Sequence, residues 1–440
     1  MVSIDPILLT LLMFGAMLTL MFFGVPLAWT LMGVGVGFGY WIWGPDSLGI
    51  MMPSIFGLMN EFILVALPLF ILMGMILERS GIADDLFQMI YKIMGGVRGG
   101  LGMGTVVICA LIAAMVGITG AATVSLGLIA LPAMLKRGYS KQLSAGAIMA
   151  GGALGFLIPP SLVMILYAFL TRESVGKLFA AGVMPGLMLA AIYMLYIGIR
   201  CYRNPTLGPP IEASERIGFW QKVVALKAMI LPGLLIAVVL GTMAAGVASP
   251  TEASALGAFG AMLCALAHGK LNVTMLNSAL FSTARIMGML MWIMIGAVIF
   301  SKIYIALGAG QAIVGQIMAA ELSPYLVLSV ILLSYLVLGM FLDDSAILFI
   351  TVPLYVPIIK ALGFDPIWFA TLFVLAMQSA YLTPPFGYNL FYMRSVAPPE
   401  VTTGDLYRSV VPFLAMQILG IVLLVLFPQI ALWLPELIFD

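Results

Sequence analysis

GFLIPPS (Gly155–Ser161) and YLTPPFG (Tyr381–Gly387) each place two consecutive prolines after a run of apolar residues. Two prolines remove two amide donors and fix two backbone angles, so a helix running into them loses its regular hydrogen bonding. The rest of the chain makes such interruptions expensive. Of its 440 residues, 63% are hydrophobic and 8% charged, against roughly a quarter charged in soluble domains. Apolar runs of about 20 residues, enough to cross a hydrocarbon core, recur from end to end. The expected fold class is an all-α polytopic membrane protein, and in lipid a broken backbone must be satisfied by protein, water or a bound ion.

Apolar runs between charged or Pro/Gly-rich punctuation predict spans near 5–23, 25–43, 54–78, 141–171, 177–199, 226–246, 250–268, 276–300, 366–396 and 406–436. Regions 99–136 and 322–360 each hold two half-length apolar runs around a polar or glycine-rich middle, GITGAATVS (Gly117–Ser125) and GMFLDDS (Gly339–Ser345). Both are expected to be re-entrant helical hairpins. Segments 80–97 and 302–320 are too polar or too rich in glycine for spans and are read as surface arms leading into the hairpins.

Threaded this way, only Arg172, Lys177, Lys302 and Lys360 of the 19 Lys and Arg fall on one side. The crowded side is expected to be cytoplasmic, which places both termini outside. The first apolar run follows Asp5, with no basic residue before it and no small-residue cleavage site, so it reads as a span and not as a removed signal.

Several function classes find little support. Three scattered cysteines and the single histidine, His268, in a predicted loop, speak against disulfide scaffolding and structural zinc. Net charge of +1 gives no nucleic-acid signal. An intramembrane enzyme would need a nucleophile–base pair or metal cluster, and a channel would need a lined pore. Neither pattern is present, and no cofactor is expected.

Sliding the chain against itself by 225 positions places Pro132 on Pro357, Gly138 on Gly363, Tyr139 on Phe364, Ala145 on Ala370, and Pro159-Pro160 on Pro384-Pro385. Thr119-Gly120-Ala121 falls on Asp344-Ser345-Ala346. Each half thus contains a hairpin with a polar tip followed by a proline-broken helix. Because the hairpins are expected to open to opposite faces, the halves form an inverted-topology repeat, the pattern of secondary transporters with a midplane ligand site.

Carbonyls freed at helix ends suit a hard cation such as sodium, and freed amides suit an anion. The first expected sodium site takes Gly117, Thr119, Thr123 and Ser125 from the tip, facing Gly155 and Pro159. The second takes Gly339, Asp343, Asp344 and Ser345, facing Thr383 and Pro384. Acidic residues at such depth are functional candidates by default; Asp343 is the expected ion ligand, with Asp344 either beside it or lining a water-filled route. Ser161, Phe386, Gly387, Asn389 and Arg394 are candidate substrate contacts, although an interfacial anchor is the stronger reading of Arg394. Phe156, Phe386, Tyr388 and Tyr392 favour a larger or partly apolar acid. Gly151-Gly152 serves either close packing or ligation.

The predicted organisation is 1–78, N-terminal frame spans; 79–171, a first repeat with arm, hairpin 99–136 and broken helix 141–171; 172–300, central frame spans with a cytoplasmic linker at 200–225; 301–396, a second repeat with arm, hairpin 322–360 and broken helix 366–396; and 397–440, a C-terminal span.

The sequence resembles the large, DctM-like membrane subunit of tripartite ATP-independent periplasmic (TRAP) transporters over nearly its whole length. The motifs are PLFILMGMILERSG (Pro68–Gly81), LKRGYSKQLSAG (Leu135–Gly146) before GFLIPPS, and GMFLDDSAILFITVPLYVPIIKALGFDP (Gly339–Pro366) before LTPPFGYNLF (Leu382–Phe391). The resemblance implies an elevator-type, sodium-coupled importer of organic acids in the bacterial cell inner membrane. It also implies two partners, a small four-span membrane subunit on another chain and a periplasmic solute-binding protein. Gly339 with Asp343, and Thr383-Pro384-Pro385, match family patterns; the first tip is poorer in serine than in many relatives. A stand-alone sodium/carboxylate symporter of related architecture is the rival expectation.

Overall fold

The computed structural model describes residues 5–117, 119–212, 218–385 and 387–439, Thr119 by its backbone alone. Every regular element among them is helical. The chain starts with α1 (Pro6–Phe22), α2 (Leu27–Trp43) and α3 (Leu48–Met59), and a 3-10 turn then leads into α4 (Ala66–Arg79). An amphipathic α5 (Ile82–Met94) precedes a hairpin of α6 (Gly100–Val116) and α7 (Thr119–Lys136), then α8 (Lys141–Ala153) and α9 (Leu162–Thr171) on either side of the first proline pair. The centre holds α10 (Val175–Arg203), α11 (Phe219–Ala225), α12 (Ile230–Ala244), α13 (Pro250–Ala267) and the 34-residue α14 (Val273–Ala306). Next come α15 (Ala309–Ala319), a second hairpin of α16 (Pro324–Leu338) and α17 (Asp344–Ala361), and α18 (Pro366–Ala380) and α19 (Tyr388–Val396) about the second proline pair. The chain closes with α20 (Thr403–Leu426) and α21 (Gln429–Phe439).

Among the described residues, seven helical stretches are long and apolar enough to cross a membrane. Helix starts are written in the sequence by polar caps. Asp365 accepts from the amides of Ile367 and Trp368 just ahead of Pro366, and Ser249 and Glu252 form a capping box around Pro250.

The 225-residue offset reappears in the helix boundaries. Shifted by it, α7 at 119–136 coincides with α17 at 344–361, and α8 begins where α18 begins. Gly138 and Gly363 close these hairpins at φ 79° and 80°, a left-handed conformation that glycine adopts without steric cost. Both Pro-Pro peptides are cis.

The halves also exchange neighbours. The second hairpin arm of each half packs on the post-break helix of the other, α7 on α19 and α17 on α9; likewise α20 packs on α8 and α10 on α18. A two-fold relation between the repeats requires such reciprocity.

Contacts between helix ends sort the chain into two faces. On one, the Arg79 guanidinium reaches Ser278 and Ser282, His268 lies 3.1 Å from Asp85, Gly99 donates to the Gly208 carbonyl, and Lys141 donates to that of Glu400. On the other, Lys360 pairs with Glu173 at 3.1 Å, and Arg172 and Lys302 line one cleft. Both ends of the described chain lie on this second face, where Thr10 reaches Tyr304 and Gly176 abuts Phe439. His268 is therefore more than a loop residue, because it fastens α13 to α5.

Two expected spans are interrupted. The span at 54–78 divides at Asn60-Glu61, where Phe62 opens a new helix, and that at 406–436 ends at Phe427-Pro428, before α21. The span at 276–300 continues to Ala306, so the arm that follows it begins only at Ala309.

Candidate ion and substrate site

Phe156 and Tyr381 are separated by the repeat offset of 225, and their rings meet edge to face with centroids 4.7 Å apart. A residue can touch its own repeat counterpart only at the axis that relates the two halves. This contact fixes the axis between the breaks, both of which follow within a few residues.

At the second break, α16 ends at Leu338 and the tip runs through Gly339 to Asp343, whose carboxylate caps α17 by accepting from the Ala346 amide. Asp344 Oδ1 accepts from the Tyr381 hydroxyl at 3.0 Å. Tyr381 is the C-cap of α18, so this bond joins the hairpin tip to the break. Any side chain at Gly339 would collide with the Ala380 methyl, which explains the glycine at this close approach. The Thr383 hydroxyl donates back to Ser379 O at 2.8 Å, leaving its lone pairs free to accept, and Ser345 is buried. Two helix C-termini, of α16 and α18, thus come together beside two carboxylates. Their partial negative charge and oxygen donors suit a cation.

At the first break the tip glycine Gly117, at φ 67°, lies so close to the break that a Cβ there would sit 2.5 Å from Pro160 O. Thr123 is fully buried, and Gly152 leaves room for its hydroxyl. Gly155 and Pro159 are buried, Ser125 is half-buried, and Ser161 caps α9 by accepting from the Met164 amide at 3.4 Å. No carboxylate belongs to this set. The Thr119 side chain and Phe386 lie outside the described residues.

The expected substrate contacts divide. Gly387 stays with its break: a Cβ there would lie 2.7 Å from Tyr381 O. Asn389, a candidate substrate contact beyond the second break, turns toward the first hairpin. Its Oδ1 lies 3.3 Å from Thr123 Oγ1 and its Nδ2 donates to Met149 O at 3.0 Å, so it ties the second break to the first hairpin. The reason is the exchange of α7 and α19 between the halves. Arg394 is not brought to this cluster by any bond; its Nη1 donates to Val401 O at 2.7 Å, in the loop that also receives Lys141. Tyr388 stacks on Tyr381 at 5.2 Å, and Tyr392 packs against Gly120 of the first tip.

Sequence reasoning missed Tyr381 as a partner of Asp344. The one available signal was its registration on Phe156 across the repeat. Gln378 and Gln417, both fully buried and the former in contact with the Tyr193 hydroxyl, were missed too. Among the described residues no group of three or more His, Cys, Asp and Glu stands close enough to hold a metal ion, so a site here would have to draw on carbonyl and hydroxyl oxygen.

Comparison with known proteins agrees with this architecture. The solved Alcanivorax borkumensis YdaH transporter, described as having an unusual topology, superposes over 89% of each chain with a TM-score of 0.60 at 16% identity, a likeness of fold. The large permease protein DctM of a C4-dicarboxylate TRAP transporter from Pseudomonas aeruginosa is 32% identical over 90% of this chain and 91% of its own. The ectoine TRAP large permease TeaC of Halomonas elongata is 30% identical over 98% and 100%. The sialic acid TRAP large permease SiaM of Vibrio cholerae is 27% identical over 96% and 97%. Residues 14–430 match the family model of the DctM component, and the chain belongs to this family of tripartite ATP-independent periplasmic transporters.

Proposed function

We propose that this large permease subunit couples the inward movement of sodium to import of a small organic anion across the bacterial inner membrane. The anion is delivered by an extracytoplasmic solute-binding protein, and a small four-span membrane subunit completes the assembly. The observation that carries this reading is the 3.0 Å bond from Tyr381 to Asp344, which places a carboxylate of one hairpin tip against a proline break and two helix C-termini. A lone carboxylate pair in such a place is costly, and a cation offsets that cost. Sodium at the second site would order the tip, and the neutral set around Thr123 would take a second ion through hydroxyl and carbonyl oxygen alone.

Coupling follows if ion and anion favour the same arrangement of tip and break, because each then raises the affinity of the other by the same factor. The hairpins and broken helices would move as one body against the remaining helices, an elevator motion in which both tips travel with the ligand. The face bearing Arg172, Lys302 and both chain ends would be outward, a reading that the distribution of basic residues supports.

The test is uptake of labelled succinate, ectoine and sialic acid into reconstituted vesicles, with and without a sodium gradient, with and without the two partner proteins. Gradient-driven uptake that needs both partners is the expected result, and Asp343→Asn abolishes it. Uptake indifferent to the gradient would overturn sodium coupling; full uptake by the chain alone would instead mark a stand-alone symporter.

A further inference from the structure

On the face that carries both chain ends, a cleft of about 520 Å³ opens between α3, α9 and the last turns of α14. That volume lies within the range of small-molecule sites. Arg172, Lys302 and Glu61 line it, with Ser54 and Ser301 on its walls and Phe169 beside them. Basic residues are scarce on this face, yet two of the four gather here. A third, Lys360, is neutralised by Glu173, the neighbour of Arg172. Neither Arg172 nor Lys302 has an ion pair with any described residue, and Glu61 pairs with neither. The cleft therefore carries two uncompensated cations against one carboxylate.

Arg172 also stands apart in its backbone. It ends α9 at φ 59°, one of two non-glycine residues with positive φ among the described residues. A left-handed conformation outside glycine carries a steric cost. Its repeat counterpart, Ala397, is extended at φ −69° and ψ 140°. Charge and conformation at this position thus depart together from the symmetry that governs the helix boundaries. The residue also terminates the half-helix that follows the first proline pair, whereas Glu61 and Lys302 sit on α3–α4 and α14.

We propose that this cleft is a vestibule that takes the carboxylate of the incoming anion before it reaches the breaks. Arg172 and Lys302 hold the carboxylate, Glu61 accepts from a hydroxyl or ammonium group on the same molecule, and Phe169 covers its carbon skeleton. A molecule held there bridges the first broken helix to the frame. The proposal rests on the reading of the chain as an organic-anion importer with this face outward.

Its test does not depend on transport. Cys109, Cys201 and Cys264 are buried, so Ser301→Cys, and separately Ser54→Cys, supplies a reporter thiol in the full chain in detergent. Each is reacted with methanethiosulfonates carrying a sulfonate or a trimethylammonium group. The anionic reagent should react roughly tenfold faster than the cationic one, after correction for their intrinsic rates on a free thiol. Arg172→Gln with Lys302→Gln should remove that preference, and millimolar succinate should slow the reaction where neutral succinamide at matched ionic strength does not. An unchanged preference in the double variant, no protection by succinate, or two unreactive thiols would each overturn the vestibule. Protection by phosphatidylglycerol but not by succinate would overturn it as well, marking a lipid headgroup seat. An anion-selective, succinate-protected cleft in a chain whose uptake ignores the sodium gradient would support the vestibule and overturn sodium coupling instead.

Discussion

The two proline breaks share a backbone and differ in charge. Helix limits, the glycines at 138 and 363, and the packing of α7 on α19 against α17 on α9 repeat at an offset of 225. Side chains do not. Thr119 of the first tip registers on Asp344 of the second, Ser161 on Phe386, and Phe156 on Tyr381. The polar contact of Thr123 with Asn389 has as its counterpart Leu348 with Met164, an apolar pair. The duplicated shape supplies two places where helix ends meet, and only the second is equipped with carboxylates. Sodium sensitivity should therefore be concentrated there, while the first break contributes oxygen donors without charge.

The largest expected effect tests that asymmetry. Asp343→Asn and Asp344→Asn each remove a charged acceptor and should weaken sodium binding by roughly 10- to 100-fold, the range spanned by hydrogen bonds to charged groups. The measurement is the sodium-dependent rise in thermal unfolding midpoint of the purified chain, against potassium and choline. A saturating ion at 100 times its dissociation constant stabilises by about 2.7 kcal/mol, a shift easily resolved. Thr123→Val should change the sodium midpoint far less. An equal loss from Thr123→Val would break the comparison, because the neutral tip would then matter as much as the acidic one.

Next comes the link between the halves. Asn389→Leu leaves the Met149 carbonyl and the Thr123 hydroxyl buried without their partner, at a cost of about 2 kcal/mol in stability. Thermal unfolding in sodium-free buffer reads it directly. Met164→Leu, at the apolar counterpart, should cost less than about 1.5 kcal/mol, as volume-conserving swaps usually do. A smaller loss at Asn389 than at Met164 would mean that the polar tie bears no weight.

Tyr381→Phe sharpens the second site. It removes one hydrogen bond from Asp344 while keeping the ring contact with Phe156, and should lower stability by about 1.5 kcal/mol, the low end for a bond to a charged group. If Asp344 acts as an ion ligand, losing the competing donor leaves sodium affinity the same or raises it. A drop as large as that of Asp344→Asn would show that the tyrosine itself holds the ion.

Much of this was legible because duplication leaves a register that can be slid along the sequence. The prolines at 159–160 and 384–385, and the glycines at 138 and 363, have backbone requirements no other residue meets as well, so they survive as markers while side chains diverge. The missed interruptions at Asn60-Glu61 and Phe427-Pro428 lie in runs whose hydrophobicity continues across the break, where a sliding window sees one span. The partner of Asn389 was invisible for a different reason. Thr123 lies 266 residues away, and only the exchange of helices between the halves brings it near. The axial contact of Phe156 with Tyr381 was latent in the offset and needed three dimensions to become a contact.

Arg394 sets the lower end of the scale. It is the only basic residue close in sequence to the second break, and an approaching carboxylate would be an obvious partner. The structure gives it the Val401 carbonyl instead, at an exposed position beside the Lys141–Glu400 contact. Exposed bonds of this kind contribute between nothing and about 1 kcal/mol, because water competes for both partners. Arg394→Gln should therefore lower the unfolding midpoint slightly, leave the sodium response unchanged, and leave the KM for whichever labelled anion the vesicles accept within about twofold, which is about 0.4 kcal/mol. A KM raised tenfold with kcat unchanged would mean that the guanidinium swings from Val401 to the substrate during the cycle. Arg394 would then meet the anion within the second broken helix, where its repeat counterpart in the first is Phe169, and the difference between the breaks would extend to how each meets the anion.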